Sequence, residues 1–237
     1  MVRFTLFGIP VEIQPWFWLT LAFLSGALTS FTPEAMQYGL IFILAATVSI
    51  LVHELGHALT GMRLGGGAAK IVLWAFGGLA YNQGGRFTKS GRFWMIAAGP
   101  GAGFLLGAVV LLIMIAIFGP HDALNLTGRW LFGSQSSFSH DTIAFVQDRK
   151  PLVSLLRSMI WINFWWGMLN LLPVHPLDGG QITELFVKPR QRVHQIAIVA
   201  ATAVAAFGLW RGDLFMALLF GYLAWQNFQA MKKLGWQ

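Results

Sequence analysis

Cysteine is absent from this chain, and charged residues are scarce. None of the 237 residues is Cys, which excludes disulfides and thiolate metal ligands. Asp, Glu, Lys and Arg make up 11% of the residues, whereas a soluble domain carries about 25%. Hydrophobic residues account for 56%. A chain with so little polar surface is predicted to fold in a lipid bilayer.

Positive charge is in excess but is not concentrated. The 16 Lys and Arg residues outnumber the 9 acidic residues and give a net charge of +7. They form no dense run and lie between apolar stretches, so binding to nucleic acid is not expected. Basic residues in the loops between membrane helices instead indicate which loops face the cytoplasm.

Six apolar stretches have lengths that suggest membrane helices. They are residues 16–31, 38–61, 93–118, 152–172, 193–210 and 214–231. The sequence therefore predicts an all-α membrane protein with about six transmembrane helices. Residues 1–237 are expected to form one polytopic domain without a separate soluble regulatory domain.

The connections between the stretches carry further signals. Residues 70–76 (KIVLWAF) are rich in β-branched and aromatic side chains, which predicts a strand or hairpin at the membrane surface between the second and third helices. The basic residues favour the side that carries this hairpin and both termini, so that side is predicted to be cytoplasmic. The polar segment 119–150 is predicted to lie on the other side.

The second apolar stretch contains the pentapeptide HELGH at residues 53–57. Positions i and i+4 of a helix share one face, so His53 and His57 can bind the same metal ion. Glu54 projects beside them and can act as the base that activates water. The alternative is that these side chains only line a polar cavity or bond to neighbouring helices, but ionisable groups within a membrane helix are costly and usually functional.

A catalytic zinc needs three protein ligands and one open position, so a third ligand is expected from another part of the chain. Asp178 is a carboxylate in a proline-broken apolar stretch that follows the fourth predicted helix. The second and fourth helices run in the same direction, so both motifs are expected to meet near the cytoplasmic face. The alternative for Asp178 is that it caps a helix beginning near Gly179.

These two motifs resemble those of the site-2 protease family of intramembrane zinc metalloproteases. The first is HELGH at residues 53–57, and the second is NLLPVHPLDG at residues 170–179, which fits the pattern N-x-x-P-x-x-P-L-D-G. Their order and spacing and the six-helix layout extend the resemblance to nearly the whole chain.

The resemblance implies a role for each matching residue. His53, His57 and Asp178 match the ligands of one Zn²⁺ per chain, and Glu54 matches the catalytic base. Asn170 matches an asparagine that binds the substrate backbone or stabilises the oxyanion. The alternative for Asn170 is an interhelical hydrogen bond.

Two positions depart from the family's pattern. Gly103 stands where asparagine is usual in the stretch Ala-Gly-Pro-x-x-Asn. Together with Gly99 and Gly107 it forms a ladder spaced by four residues, which favours close helix packing. His175 lies three residues before Asp178, but histidine is not usual at that position, so we expect it to lie beside the site without binding the metal.

The expected function is hydrolysis of peptide bonds in transmembrane or membrane-anchored proteins near the cytoplasmic face. The expected location is a prokaryotic cell membrane, with the lipid bilayer and membrane-protein substrates as partners. One alternative is a divalent-cation transporter, which would leave the position of Glu54 unexplained. Another is an inactive relative that only binds partners, but such a protein would normally have lost a ligand or the glutamate.

Substrate binding to a strand is a further hypothesis. A transmembrane helix hides its carbonyl groups in hydrogen bonds, so it must open before hydrolysis. The edge of strand 71–76 is expected to hold the opened segment by β-pairing. Substrates are then expected to carry helix-weakening residues near the cut. The alternative is that this strand only seals the membrane surface.

Overall fold

The computed structural model describes residues 1–234, most of which are helical. Within that range the helices are α1 Pro15–Leu24, α2 Pro33–Gly65, α3 Lys89–Phe132, α4 His140–Asp148, α5 Lys150–Asn170, α6 Asp178–Phe186, α7 Arg190–Arg211 and α8 Leu214–Leu234. The strands are β1 Val2–Leu6, β2 Ile9–Ile13, β3 Ala68–Trp74 and β4 Gly77–Gln83. The all-α prediction is therefore too narrow, because a four-stranded sheet accompanies the helices.

Among residues 1–234, four helices are long and apolar enough to cross a membrane by length and composition, namely α2, α3, α5 and α7. The predicted count of about six is not recovered by this criterion. The first apolar stretch forms only the 10 residues of α1, because the chain turns at Ser25 and at Gly26, whose φ is +75°. Helix α8 has 21 residues, but Gln226, Asn227 and Gln229 make its second half polar.

Many large apolar side chains on these helices face outward. Leu105, Leu112, Val199, Leu218 and Trp210 are each between 64% and 77% exposed. Such a surface suits lipid and not water, and it agrees with the prediction of an integral membrane protein.

The segment 119–150 is largely helical. Helix α3 continues through it to Phe132 with a bend at Gly119, whose φ of 76° and ψ of 162° are not helical. Beyond the bend, the Asp122 carboxylate accepts hydrogen bonds from the Ser139 backbone N–H at 3.1 Å and from the Ser139 hydroxyl at 2.6 Å. These bonds attach the end of α3 to the start of α4.

The sheet has the strand order β1-β2-β3-β4. Strands β1 and β2 form an antiparallel hairpin, and β2 runs parallel to β3 with Val11 opposite Ile71. Strands β3 and β4 are antiparallel, with Val72 opposite Leu79. The predicted strand at 70–76 thus lies inside the sheet and is paired on both sides, so the prediction that its edge is free for a substrate is wrong. Strand β4 is an edge strand of this sheet.

One face of the sheet packs against the helices. Val11, Ile71 and Leu73 alternate toward this face and are at most 1% exposed. They join Phe17 of α1 and Ala45 of α2 in the same apolar core. This packing holds β3 and β4 across the half of α2 that carries HELGH.

Helices α2 and α3 approach closely at Gly56. A Cβ atom at this position would overlap the backbone oxygen of Ala98, far inside van der Waals contact. Close approach of membrane helices through small residues is the usual basis of their packing. The backbone at Gly56 therefore brings the HELGH turn directly against α3.

We predict that Gly56→Ala destabilises the bundle, whereas Gly101→Ala does not. The methyl group added at Gly56 would force the two helices apart, with an expected loss of about 1–3 kcal/mol. A Cβ atom at Gly101 has no neighbour within 4 Å, so the matched variant should be neutral or gain up to about 1 kcal/mol from helix propensity. Thermal unfolding of both variants in the same detergent tests this, and equal melting temperatures would contradict the packing argument.

Candidate metal centre

Helix α2 directs His53 and His57 inward from one face. The two residues are one turn apart and only 3% and 9% exposed, and their Nε2 atoms are 3.2 Å apart. Two imidazole nitrogens that face each other inside an apolar bundle are expected to share a common partner, because an unpaired buried polar atom is unfavourable.

Asp178 brings a carboxylate to the same point. Its Oδ2 atom lies 3.1 Å from the Nε2 atom of His53 and 3.3 Å from that of His57. A tetrahedral zinc site with bonds of about 2.0–2.1 Å has ligand atoms about 3.3 Å apart. The near-equilateral triangle of the three atoms therefore fits a zinc ion bound on one side of it, with a fourth position left open.

The start of α6 positions Asp178. The N-cap residue of α6 is Leu177, and Asp178 is already inside the first helical turn, so Asp178 does not act as the N-cap. A Cβ atom at the next residue, Gly179, would overlap the backbone oxygen of Leu171. The segment between α5 and α6 thus folds tightly against the start of α6, and this contact holds the carboxylate toward α2.

Helix α3 fixes the orientation of His57. The Nδ1 atom of His57 is 2.9 Å from the backbone oxygen of Met95, which can only accept a hydrogen bond. The proton is therefore on Nδ1, and the lone pair of Nε2 is free for a metal ion. A Cβ atom at Gly99 would overlap this Nε2 atom, so the glycine at this position allows α3 to pack directly against the imidazole ring.

Strand β4 covers Glu54. Glu54 is 4% exposed, and a Cβ atom at Gly78 would overlap its Cγ atom. Its carboxylate interacts electrostatically with the three residues of the His–His–Asp triangle. The predicted base thus lies between the triangle and an edge strand.

Two other residues singled out from the sequence make their own contacts outside the triangle. The Nε2 atom of His175 faces Glu184 at 3.9 Å, and its ring centroid is 5.8 Å from that of His194. The side-chain amide of Asn170 donates to the backbone oxygen of Trp166 within the same helix at 2.9 Å. Its interaction is therefore intrahelical, and the alternative interhelical bond is not formed among the described residues.

Sequence reasoning missed Asn163. This residue is 2% exposed on α5, and its amide donates to the Ser49 hydroxyl at 2.9 Å and to the Met159 backbone oxygen at 2.8 Å. It lies opposite Gly103 of α3. The available signal was a polar residue in the middle of the apolar stretch 152–172, since such residues in membrane helices usually have a defined partner.

Comparison with known proteins identifies related sequences. The sequence model of peptidase family M50 matches residues 41–209 of this chain. A zinc metalloprotease of Methanocaldococcus jannaschii is 28% identical over 93% of this chain and 53% of its own length. A putative zinc metalloprotease of Mycobacterium tuberculosis, Rip3, is 24% identical over 82% of this chain and 45% of its own length. The chain thus spans about half the length of these curated relatives.

A solved structure shares the fold. The site-2 protease from Methanocaldococcus jannaschii superposes with a TM-score of 0.58 at 22% sequence identity. The match covers 96% of this chain and 94% of that structure. This arrangement of helices and sheet is therefore a known one.

We predict that Asp178→Ala sharply lowers zinc occupancy, whereas His175→Ala leaves it near the wild-type value. Asp178 supplies one corner of the ligand triangle, and His175 faces Glu184 instead. Metal analysis of both purified variants, together with their thermal unfolding, tests this assignment. Loss of zinc from His175→Ala with retention in Asp178→Ala would show that the ligands are assigned wrongly.

Proposed function

The chain belongs to peptidase family M50, and from that premise we propose that it is an intramembrane zinc metalloprotease. The observation that carries the proposal is the buried triangle of His53, His57 and Asp178, with Glu54 beside it beneath β4. Membership of this family favours a protease over a cation transporter. The buried base beside a three-ligand site also favours a protease, because ion transport does not require such a base.

The proposed chemistry divides between the metal site and the glutamate. When bound, zinc supplies Lewis acidity, which polarises a peptide carbonyl and makes water more acidic. Glu54 accepts a proton from the attacking water and later donates it to the nitrogen of the leaving amine, so the proton count is balanced over one cycle. The bond from His57 Nδ1 to Met95 keeps the imidazole in the tautomer that can bind a metal ion.

Substrates are proposed to be transmembrane or membrane-anchored proteins, cut near the cytoplasmic face. Two facts support this proposal. The triangle is built partly on α2, which is long and apolar enough to span the bilayer. Basic residues cluster around the following connection: Arg63 ends α2, Lys70 and Arg86 lie between the helices, and Lys89 and Arg92 begin α3. An excess of basic residues marks the cytoplasmic side.

The edge of β4 is the proposed binding site for the opened substrate. The backbone N–H of Gln14 donates to the Leu73 backbone oxygen at 2.9 Å, so the main-chain groups of Leu73 point to β2. Main-chain direction alternates along a strand, so those of Val72 point to β4 and meet Leu79. The main-chain groups of the next residue, Ala80, consequently point away from β3 to the outer edge of the sheet. An extended peptide added at this edge would place its carbonyls beside the base.

We predict that Glu54→Gln abolishes proteolysis and keeps the metal. Glutamine preserves the shape of the side chain but cannot accept the proton, so the cleavage rate should fall by about 10²–10⁴-fold. Zinc content and thermal unfolding should match those of the wild type. A purified Glu54→Gln protein that cleaves a membrane substrate at the wild-type rate would refute the proposed role of Glu54.

A second prediction concerns β4. Ala80→Pro removes a main-chain donor from the outer edge but leaves the β3–β4 ladder intact, because proline is tolerated where the N–H points away from the sheet. Cleavage of a strongly helical substrate should fall much more than cleavage of a substrate already broken by Gly or Pro. Tyr81→Ala, which removes a side chain that is 48% exposed, is the control and should cleave both normally. Equal losses on both substrates would point to a disturbed Glu54 and not to substrate pairing.

A further inference from the structure

The two histidines of the proposed metal site differ in what their second nitrogen contacts. Nε2 of each histidine belongs to the ligand triangle. Nδ1 of His57 donates to Met95, but Nδ1 of His53 is fully enclosed and has no hydrogen-bond partner among residues 1–234. A histidine that binds a metal through Nε2 carries its proton on Nδ1, and that proton normally has an acceptor that fixes the ring. An acceptor for His53 should therefore lie nearby.

Asn163 offers an acceptor that is also unused. Both hydrogens of its amide nitrogen are engaged, by the Ser49 hydroxyl and by the Met159 backbone oxygen. This arrangement fixes the orientation of the amide, because the reverse orientation would set two oxygens against each other at Met159. The Oδ1 atom of Asn163 is left enclosed and without a partner in the same part of the chain.

Gly103 brings these two atoms to one place. A Cβ atom at Gly103 would lie 3.7 Å from Oδ1 of Asn163 and 4.0 Å from Nδ1 of His53. A donor and an acceptor thus face the same side of α3 at a residue that has no side chain. Buried polar atoms of this kind are commonly joined by an ordered water molecule that bonds to both.

We infer that Asn163 is a positioning residue for the metal centre, acting on His53 through a water molecule held beside Gly103. The His53 Nδ1–H donates to the water, and the water donates to Oδ1 of Asn163. This link keeps Nε2 of His53 directed at the other two ligand atoms, as Met95 does for His57. The inference rests on the proposed zinc site, and it concerns the affinity of that site for zinc.

Two substitutions at Gly103 that differ by one oxygen atom test the link. The space beside Gly103 accepts a Cβ atom at ordinary contact distances, so Gly103→Ala and Gly103→Ser should both fold. The methyl group of alanine would displace the water without replacing its bonds. The hydroxyl group of serine can accept from His53 and donate to Asn163, so it can take the place of the water.

The measurement is zinc affinity of the purified full chain in detergent, by competition with a chelator. We expect Gly103→Ala and Asn163→Leu to weaken zinc binding by about 10–100-fold, the usual effect of losing a partner of a metal-binding histidine. Gly103→Ser should bind zinc nearly as the wild type does. Ser49→Ala is the control for Asn163, because it removes a neighbour of the amide but leaves Oδ1 in place, and its affinity should also stay near wild type.

The visible absorption spectrum of the Co²⁺-loaded protein gives a second readout. A purely structural role would lower the melting temperature of the metal-free protein and leave this spectrum unchanged. A changed spectrum in Gly103→Ala that Gly103→Ser restores would support the link. Equal zinc affinities of Gly103→Ala and wild type, or equal losses in the alanine and serine variants, would overturn it. A wild-type protein that binds no zinc would instead refute the metal site itself.

Discussion

The convergence of two imidazole nitrogens and one carboxylate oxygen at 3.1–3.3 Å is the constraint on which the arrangement of the helices depends. His53 and His57 need only the pitch of α2 to share a face, but Asp178 must arrive from α6 at the same depth. Three polar groups that are each less than a tenth exposed would be unfavourable in an apolar bundle unless they satisfied one another. A single cation bound by all three groups would satisfy them together, and the surrounding packing holds them in that geometry.

Glycine is the means by which the backbone reaches the site from three directions. Gly99 allows α3 to pack directly against the His57 ring, and Gly78 allows β4 to pack against Glu54. Gly179 allows the segment that precedes α6 to fold tightly against the first turn of that helix. Any side chain at these positions would occupy space that the ligands, the base or the backbone already fill. From the sequence, the ladder Gly99, Gly103 and Gly107 indicates helix packing alone. In the structure its members face His57, the space next to His53, and the Cβ atom of Asn163.

The parts of the site that are encoded locally could be predicted from the sequence, and the parts that depend on distant segments could not. The helix repeat alone places His53 and His57 of HELGH on one face of α2. Asp178 could be identified as a carboxylate in an apolar stretch. Strands β1 and β2 were missed because each is only five residues long and β2 contains Pro10, a residue that usually interrupts a strand. Pro10 is tolerated because the pairing of β2 with β3 begins only at Val11. Once β2 is in place, β3 is interior and β4 becomes the edge.

This position of β4 has a consequence for how a substrate can reach the proposed site. Glu54 is enclosed between α2 and β4, and a helix with its side chains is about 10–12 Å wide. Under the proposed function, a substrate helix would not fit there intact, whereas an extended segment would add to the outer edge of β4 at Ala80. Pairing with the edge would replace hydrogen bonds that the substrate loses when its helix opens, and these bonds matter most where water is scarce. The strand that covers Glu54 would in this way also select unwound peptide over helix.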